Sequence, residues 1–148
     1  MDNIKNILIY TFRTFNYVND LYKINKDIYV FGKLKSDLNE FYHIIDIKKP
    51  KYILGIAKNR NKISEFESIT INNFNNKKVS NTENFEYKLF VPELLKTPFM
   101  IANGYTTSFC NYSMFKIMEY IKEKNINTKF SFAHVKKEDI TKLAEIYK

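Results

Sequence analysis

Cysteine occurs once in the 148 residues, tryptophan not at all, and glycine and proline three times each. A single thiol excludes an internal disulfide, so the fold needs no oxidising compartment. So little glycine and proline, in a chain that is 45% hydrophobic and 27% charged, excludes a low-complexity or disordered polymer and points to a globular protein. No apolar run is long enough to span a bilayer, and the N-terminus lacks the basic and apolar regions of a secretory signal. The expected location is the cytoplasm, with no membrane partner. Arginine is almost as scarce as cysteine: Arg13 and Arg60 are the only two, so the net charge of +8 is carried by lysine. Those lysines are spread along the chain without a dense block, and arginine is the usual choice for bidentate phosphate and base contacts, so no nucleic-acid partner is expected. The length suits one domain, residues 1–148, with a real core.

What is present is an alternation of strand and helix patterns. The run 4–11 ends in consecutive apolar residues, as in a strand buried on both faces of a parallel sheet. A second strand is expected over 27–32, and a helix over 36–47 with Leu38, Phe41, Tyr42 and Ile45 on one face. Residues 51–57 read as a buried strand, and 66–73 as a strand in which Glu67 shares a face with Ile69 and Ile71. A carboxylate on such a face calls for a partner. Residues 74–84 form a polar, exposed connection; 85–91 return to the sheet or make an edge hairpin; 98–103 are a further buried strand. Along 127–135, Phe130, Phe132 and His134 face one way, and a last helix covers 137–147. The expected fold is a three-layer α/β/α sandwich around a mixed, mostly parallel central sheet.

The stretch 103–122 delivers the lone cysteine to the start of a helix. Met114, Ile117, Met118 and Ile121 recur at i, i+3, i+4 and i+7, the inward stripe of an amphipathic helix, and Cys110 lies one turn earlier. Thr106, Thr107 and Ser108 are candidate caps. Unpaired amides and the positive end of the helix dipole favour a thiolate there. The plain alternative is that Cys110 is a small buried hydrophobe. His134 is expected at the end of a strand adjacent to the one that feeds Cys110, with Glu67 near both, which would make a Cys-His-acid arrangement. Phe12 and Phe15, flanking Arg13 and Thr14 beyond the first strand, could sandwich a flat ring where open α/β sheets place their ligands.

These stretches resemble the pyroglutamyl peptidases, also called pyrrolidone-carboxylate peptidases. TFRTF is similar to that family's Phe-x-Pro-Phe loop, with Phe12 and Phe15 in the ring-binding positions. KPKYILGIAKNR resembles Pro-Asp-strand-Gly-Gln-Ala-Gly-Gly-Arg at Pro50, Gly55, Ala57 and Arg60. ESITIN is similar to Glu-Arg-Val-Ala-x-Asn, and Asn103, FCN and FAHV resemble the nucleophile motif and the histidine strand. The resemblance implies a cysteine peptidase with Cys110 as nucleophile, His134 as base and Glu67 as acid partner. It further implies a substrate site involving Phe12, Phe15, Ile56, Arg60 and Asn103. Ile56 stands where the family has a Gln that bonds the substrate lactam, which predicts weak turnover of simple pyroglutamyl amides. The family's second arginine has no counterpart; Lys77 or Lys78 is the nearest replacement. A small peptide or amide substrate is implied, with no metal or organic cofactor, and assembly into a homo-oligomer is compatible with the family. The alternative is a non-catalytic relative acting as a binding or assembly module.

Overall fold

In the computed structural model, which describes residues 6–59 and 62–147, six strands form one sheet. In chain order the elements are β1 Ile7–Phe12, α1 Val18–Leu21, β2 Ile28–Phe31, α2 Leu34–Lys48, β3 Tyr52–Lys58, β4 Glu65–Phe66, β5 Ile69–Ile71, β6 Glu86–Lys88, β7 Met100–Ile101, α3 Phe109–Glu123, β8 Lys129–Val135, a 3-10 helix Lys137–Lys142 and α4 Leu143–Ile146. The sheet runs β2-β1-β3-β8-β4-β7, and a separate antiparallel ladder joins β5 to β6. Neighbours pair in parallel except β4 with β8, so the sheet is mixed and mostly parallel.

Helices on both faces account for the apolar character of the central strands. On one face, Leu8, Tyr10, Ile53, Phe130 and Phe132 pack against Leu38, Phe41 and Ile45 of α2 and Met114, Ile117, Met118 and Ile121 of α3. On the other, Ile9, Leu54, Ile56, Ala133 and Val135 meet Leu21 of α1, Ile140 of the 3-10 helix and Leu143 of α4. The period-2 alternation of β1, β3 and β8 thus assigns each residue to one of two cores. Gly55 leaves room on the first face: a Cβ there would lie 2.6 Å from Tyr10 Cζ and would also collide with the Phe132 ring.

α2 starts at Leu34, two residues before the expected 36, with Lys33 at the cap position. Its start is held by Asp37, whose Oδ2 accepts from the backbone N–H groups of Gly32 and Lys33 at 2.9 and 3.0 Å. The 66–73 stretch is two strands rather than one. The chain leaves the main sheet at Glu67 and Ser68, and β5 pairs only with β6. The 98–103 segment is a two-residue strand at the sheet's edge, with Met100 and Ile101 more than half exposed, because it pairs on one side only. The closing helix begins as a 3-10 turn. Residues 74–84 are mostly exposed but tethered: Asn72 Oδ1 accepts from Val79 N–H at 2.7 Å and Ser80 N–H at 3.0 Å, and its Nδ2 donates to Ser80 O at 3.0 Å.

Candidate active site

Three parallel strands end side by side at the edge where ligands collect in open α/β sheets. The register aligns Ala57 of β3 with His134 of β8, so the imidazole stands at the C-terminal end of the sheet. The alternation of β8 puts His134 on the face of Phe130 and Phe132, towards α3.

α3 presents Cys110 to that face. Cys110 is the second residue of the helix, half-buried, and Ser108 is the cap. The first turn is anchored from two directions. Tyr10 Oη and Ser113 Oγ are 2.8 Å apart, and Ser113 Oγ donates to Cys110 O at 2.8 Å. Next to the cysteine, the buried Asn111 uses its whole amide: Oδ1 accepts from Thr70 Oγ1 at 2.7 Å and Ile71 N–H at 3.1 Å, while Nδ2 donates to Ile71 O at 2.9 Å and Asn73 O at 2.8 Å. A fully bonded buried amide fixes its surroundings more firmly than apolar packing alone. The N–H groups of Phe109, Cys110 and Asn111 precede the first intrahelical bond, from Tyr112 N–H to Ser108 O at 3.0 Å.

Glu67 completes the cluster from the break between β4 and β5. Its N–H donates to Phe132 O at 2.8 Å, which levels it with Phe132, and its carboxylate reaches diagonally to His134, Oε1 to Nδ1 3.0 Å. Both side chains are largely buried, 8% and 12% exposed. Burial pushes the imidazole pKa down, but the hydrogen bonds and opposite charges of Cys110 and Glu67 outweigh it and raise His134 from 6.5 to about 9. With Nδ1 committed to Glu67, Nε2 is the nitrogen left for Cys110.

Cys110 and His134 open onto a cavity of about 750 Å³ lined also by Phe12, Phe31, Leu34, Ala57 and Phe109, with Arg13, Lys58 and Asn59 supplying polarity. The other residues expected at a substrate site separate from it. Phe12 lines the cavity, whereas Phe15 is buried in the opposite core, edge-on to Tyr17 with ring centroids 5.7 Å apart. The expected pair of flanking rings is therefore not formed, because the chain after Phe12 turns under the sheet. Ile56 is fully buried on that same far face, one residue out of phase with Ala57, so its side chain does not reach the cavity. Asn103 is exposed in the loop before α3 and is not part of the lining. Arg60 lies outside the described residues. The strand beside β8 is β4, not the β7 that leads to the cysteine helix, so the cysteine and histidine segments stand one strand further apart than expected. Arg13, one of the two residues flanked by Phe12 and Phe15, lines the cavity with Lys58 and Phe109; Phe109 immediately precedes the cysteine, but no local pattern distinguishes Lys58 from the chain's other lysines. Among the described residues no group of three or more His, Cys, Asp or Glu is arranged to hold a metal ion, and no helix is long and apolar enough to cross a membrane.

A three-layer α/β/α protein with a cleft at the C-terminal strand edge is the class that these elements define. Within it, the fold is that of the pyroglutamyl peptidases. The pyroglutamyl peptidase I of Bacillus amyloliquefaciens superposes with a TM-score of 0.76 at 16% identity, over 95% of this chain and 93% of that one. The pyrrolidone carboxyl peptidase of Thermococcus litoralis gives 0.71 at 19% identity, over 87% and 75%. A mutant of the Pyrococcus furiosus pyrrolidone carboxyl peptidase gives 0.69 at 18%, over 94% and 86%. No protein-family model and no curated protein matches the sequence.

Proposed function

We propose that the protein is a cysteine hydrolase that cleaves a small amide, of the pyroglutamyl type or related to it, through Cys110, His134 and Glu67. The observation that carries this reading is the 3.0 Å contact between Glu67 Oε1 and His134 Nδ1, made beside a cavity that His134 shares with the chain's only cysteine. A buried carboxylate held against an imidazole next to a thiol is the arrangement that activates a sulfur nucleophile. Likeness of fold to the pyroglutamyl peptidases supports the same reading.

In this mechanism the Cys110 thiolate attacks the amide carbonyl carbon while the His134 imidazolium stands ready at Nε2. The oxyanion that forms is stabilised by N–H groups of the first turn of α3, which have no intrahelical acceptor. His134 gives its proton to the leaving amine, then draws one from water, and the hydroxide equivalent releases the acyl group from sulfur. Glu67 keeps the imidazole in the tautomer and orientation that this requires and stabilises its charged form. One cysteine working as a thiolate suits a reducing cytoplasm.

The test is hydrolysis of a panel of pyroglutamyl and other small acyl amides by wild type and Cys110→Ala, with mass spectrometry of the quenched wild-type reaction. The expected result is turnover and a cysteine-linked acyl adduct in wild type only. Undiminished turnover by Cys110→Ala, with the same thermal unfolding as wild type, would overturn the mechanism.

A further inference from the structure

Apart from Cys110, the charged side chains that line the candidate cavity are cationic. Arg13 follows directly on β1 and Lys58 is the last residue of β3; both line the cavity and both are exposed. The β1–β3 register runs from Ile7 opposite Tyr52 to Tyr10 opposite Gly55, so the two strands lead side by side to the cavity that Arg13 and Lys58 both line. On the next strand Lys58 is level with Val135, directly after His134. Arg13, Lys58 and His134 therefore come from three consecutive strand ends along one edge of the cavity. No lining residue is acidic.

Nor is either cation neutralised from behind. Among the described residues neither Arg13 nor Lys58 takes part in an ion pair. Two carboxylates of neighbouring segments are engaged elsewhere: Glu67 by His134, and Asp37 by the N–H groups of Gly32 and Lys33 at the start of α2. Like charges lining one cleft repel, and a cleft with apolar walls concentrates their field on whatever enters. The walls here are Phe12, Phe31, Leu34 and Phe109. An anionic group would relieve the repulsion and take up the unpaired donors, the guanidinium being suited to bind a carboxylate through two parallel bonds.

Resting on the reading of Cys110 as the nucleophile, we infer that Arg13 and Lys58 form an anion subsite and that the substrate is a small amide or peptide bearing a carboxylate beside the bond to be cleaved. Neutral amides enter the same cavity without that anchor.

The single cysteine allows the inference to be tested without knowing the substrate. Alkylation of Cys110 is followed by mass spectrometry with iodoacetate and, separately, with iodoacetamide, which differ in carrying a carboxylate or a neutral amide. Each rate is divided by that of N-acetylcysteine under the same conditions. The expected result is a preference for iodoacetate in wild type that weakens with added salt. It should fall by roughly two- to fivefold in Arg13→Gln/Lys58→Gln, the size of a solvent-screened charge interaction. If Cys110 reacts readily with both reagents but the preference is unchanged in the double variant, the anion subsite is overturned while the nucleophile stands. Should Cys110 react no faster than N-acetylcysteine with either reagent at neutral pH, the nucleophile reading fails and the subsite falls with it.

Discussion

Glu67, not Glu65, holds His134, although Glu65 is the residue directly opposite His134 in the antiparallel β4–β8 pair. The two glutamates stand two residues apart on one face, so strand alternation cannot separate them. What separates them is the level in the sheet. Glu67 is opposite Phe132 and its carboxylate reaches along the strand to Nδ1, the diagonal reach that antiparallel pairs allow long side chains.

Exchange of these two carboxylates for amides is the sharpest test of that geometry. Glu67→Gln is expected to lower kcat/KM by roughly a hundredfold or more, through loss of the imidazole's orientation and charge stabilisation, with little change in stability. Glu65→Gln is expected to be nearly silent. Steady-state assays of both variants on one substrate check this; damage from Glu65→Gln alone would assign the acid to the other residue.

His134 makes the protein's stability depend on pH in a defined window. Its pKa is 6.5 when unperturbed and about 9 in the fold, so the native state holds a proton that the unfolded chain releases. The stabilisation is complete below pH 6.5 and is lost as the pH rises through about 9. Denaturant melts between pH 6 and pH 10 should show wild type losing more stability than His134→Gln, and the imidazole's NMR titration should centre near 9. Parallel stability curves for the two proteins would contradict the assignment. Acylation should decline over the same upper limb, because the leaving amine needs the imidazolium proton.

Asn111 is predicted to be a structural anchor of the turn that carries Cys110. Asn111→Leu deletes four hydrogen bonds and leaves the Ile71 and Asn73 backbone groups without their partner, which should destabilise by about 3 kcal/mol or more. Chemical denaturation measures the loss. Asn111→Asp should also destabilise, since a carboxylate cannot donate to the two carbonyls. Wild-type stability in both variants would refute the anchor.

Ile56 gives a prediction opposite to the one that motif matching suggests. A glutamine there would stand in the far core with its amide unpaired, so Ile56→Gln should cost about 1–3 kcal/mol and bring no gain in pyroglutamyl amide turnover. A gain in turnover at unchanged stability would mean that the side chain reaches the cavity after all.

Much of the fold is legible in the sequence, and particular elements show why. The i, i+3, i+4, i+7 stripe of α3 and the alternation of Phe130, Phe132 and His134 in β8 are local periodicities; the stripe and both phenylalanines are buried, and His134 is partly buried where the strand meets the cavity. The polar 74–84 connection likewise has the exposed character of its composition, although its tether to Asn72 depends on a side chain outside it. The apolar run 51–57 said that β3 is a buried strand; it did not say which of its faces would meet the cysteine helix. That choice sends Ala57 to the cavity and Ile56 away from it.

The chain by itself determined the identities of the thiol, the imidazole and the carboxylate, and the helix and strands that carry them, because propensity and periodicity act between near neighbours. Only the tertiary structure decided that Phe15 turns into the core, that β7 is an exposed edge, and that Arg13 and Lys58 line one cavity. Each of those outcomes is set by pairing between distant strands, where a shift of one residue reverses the face a side chain presents.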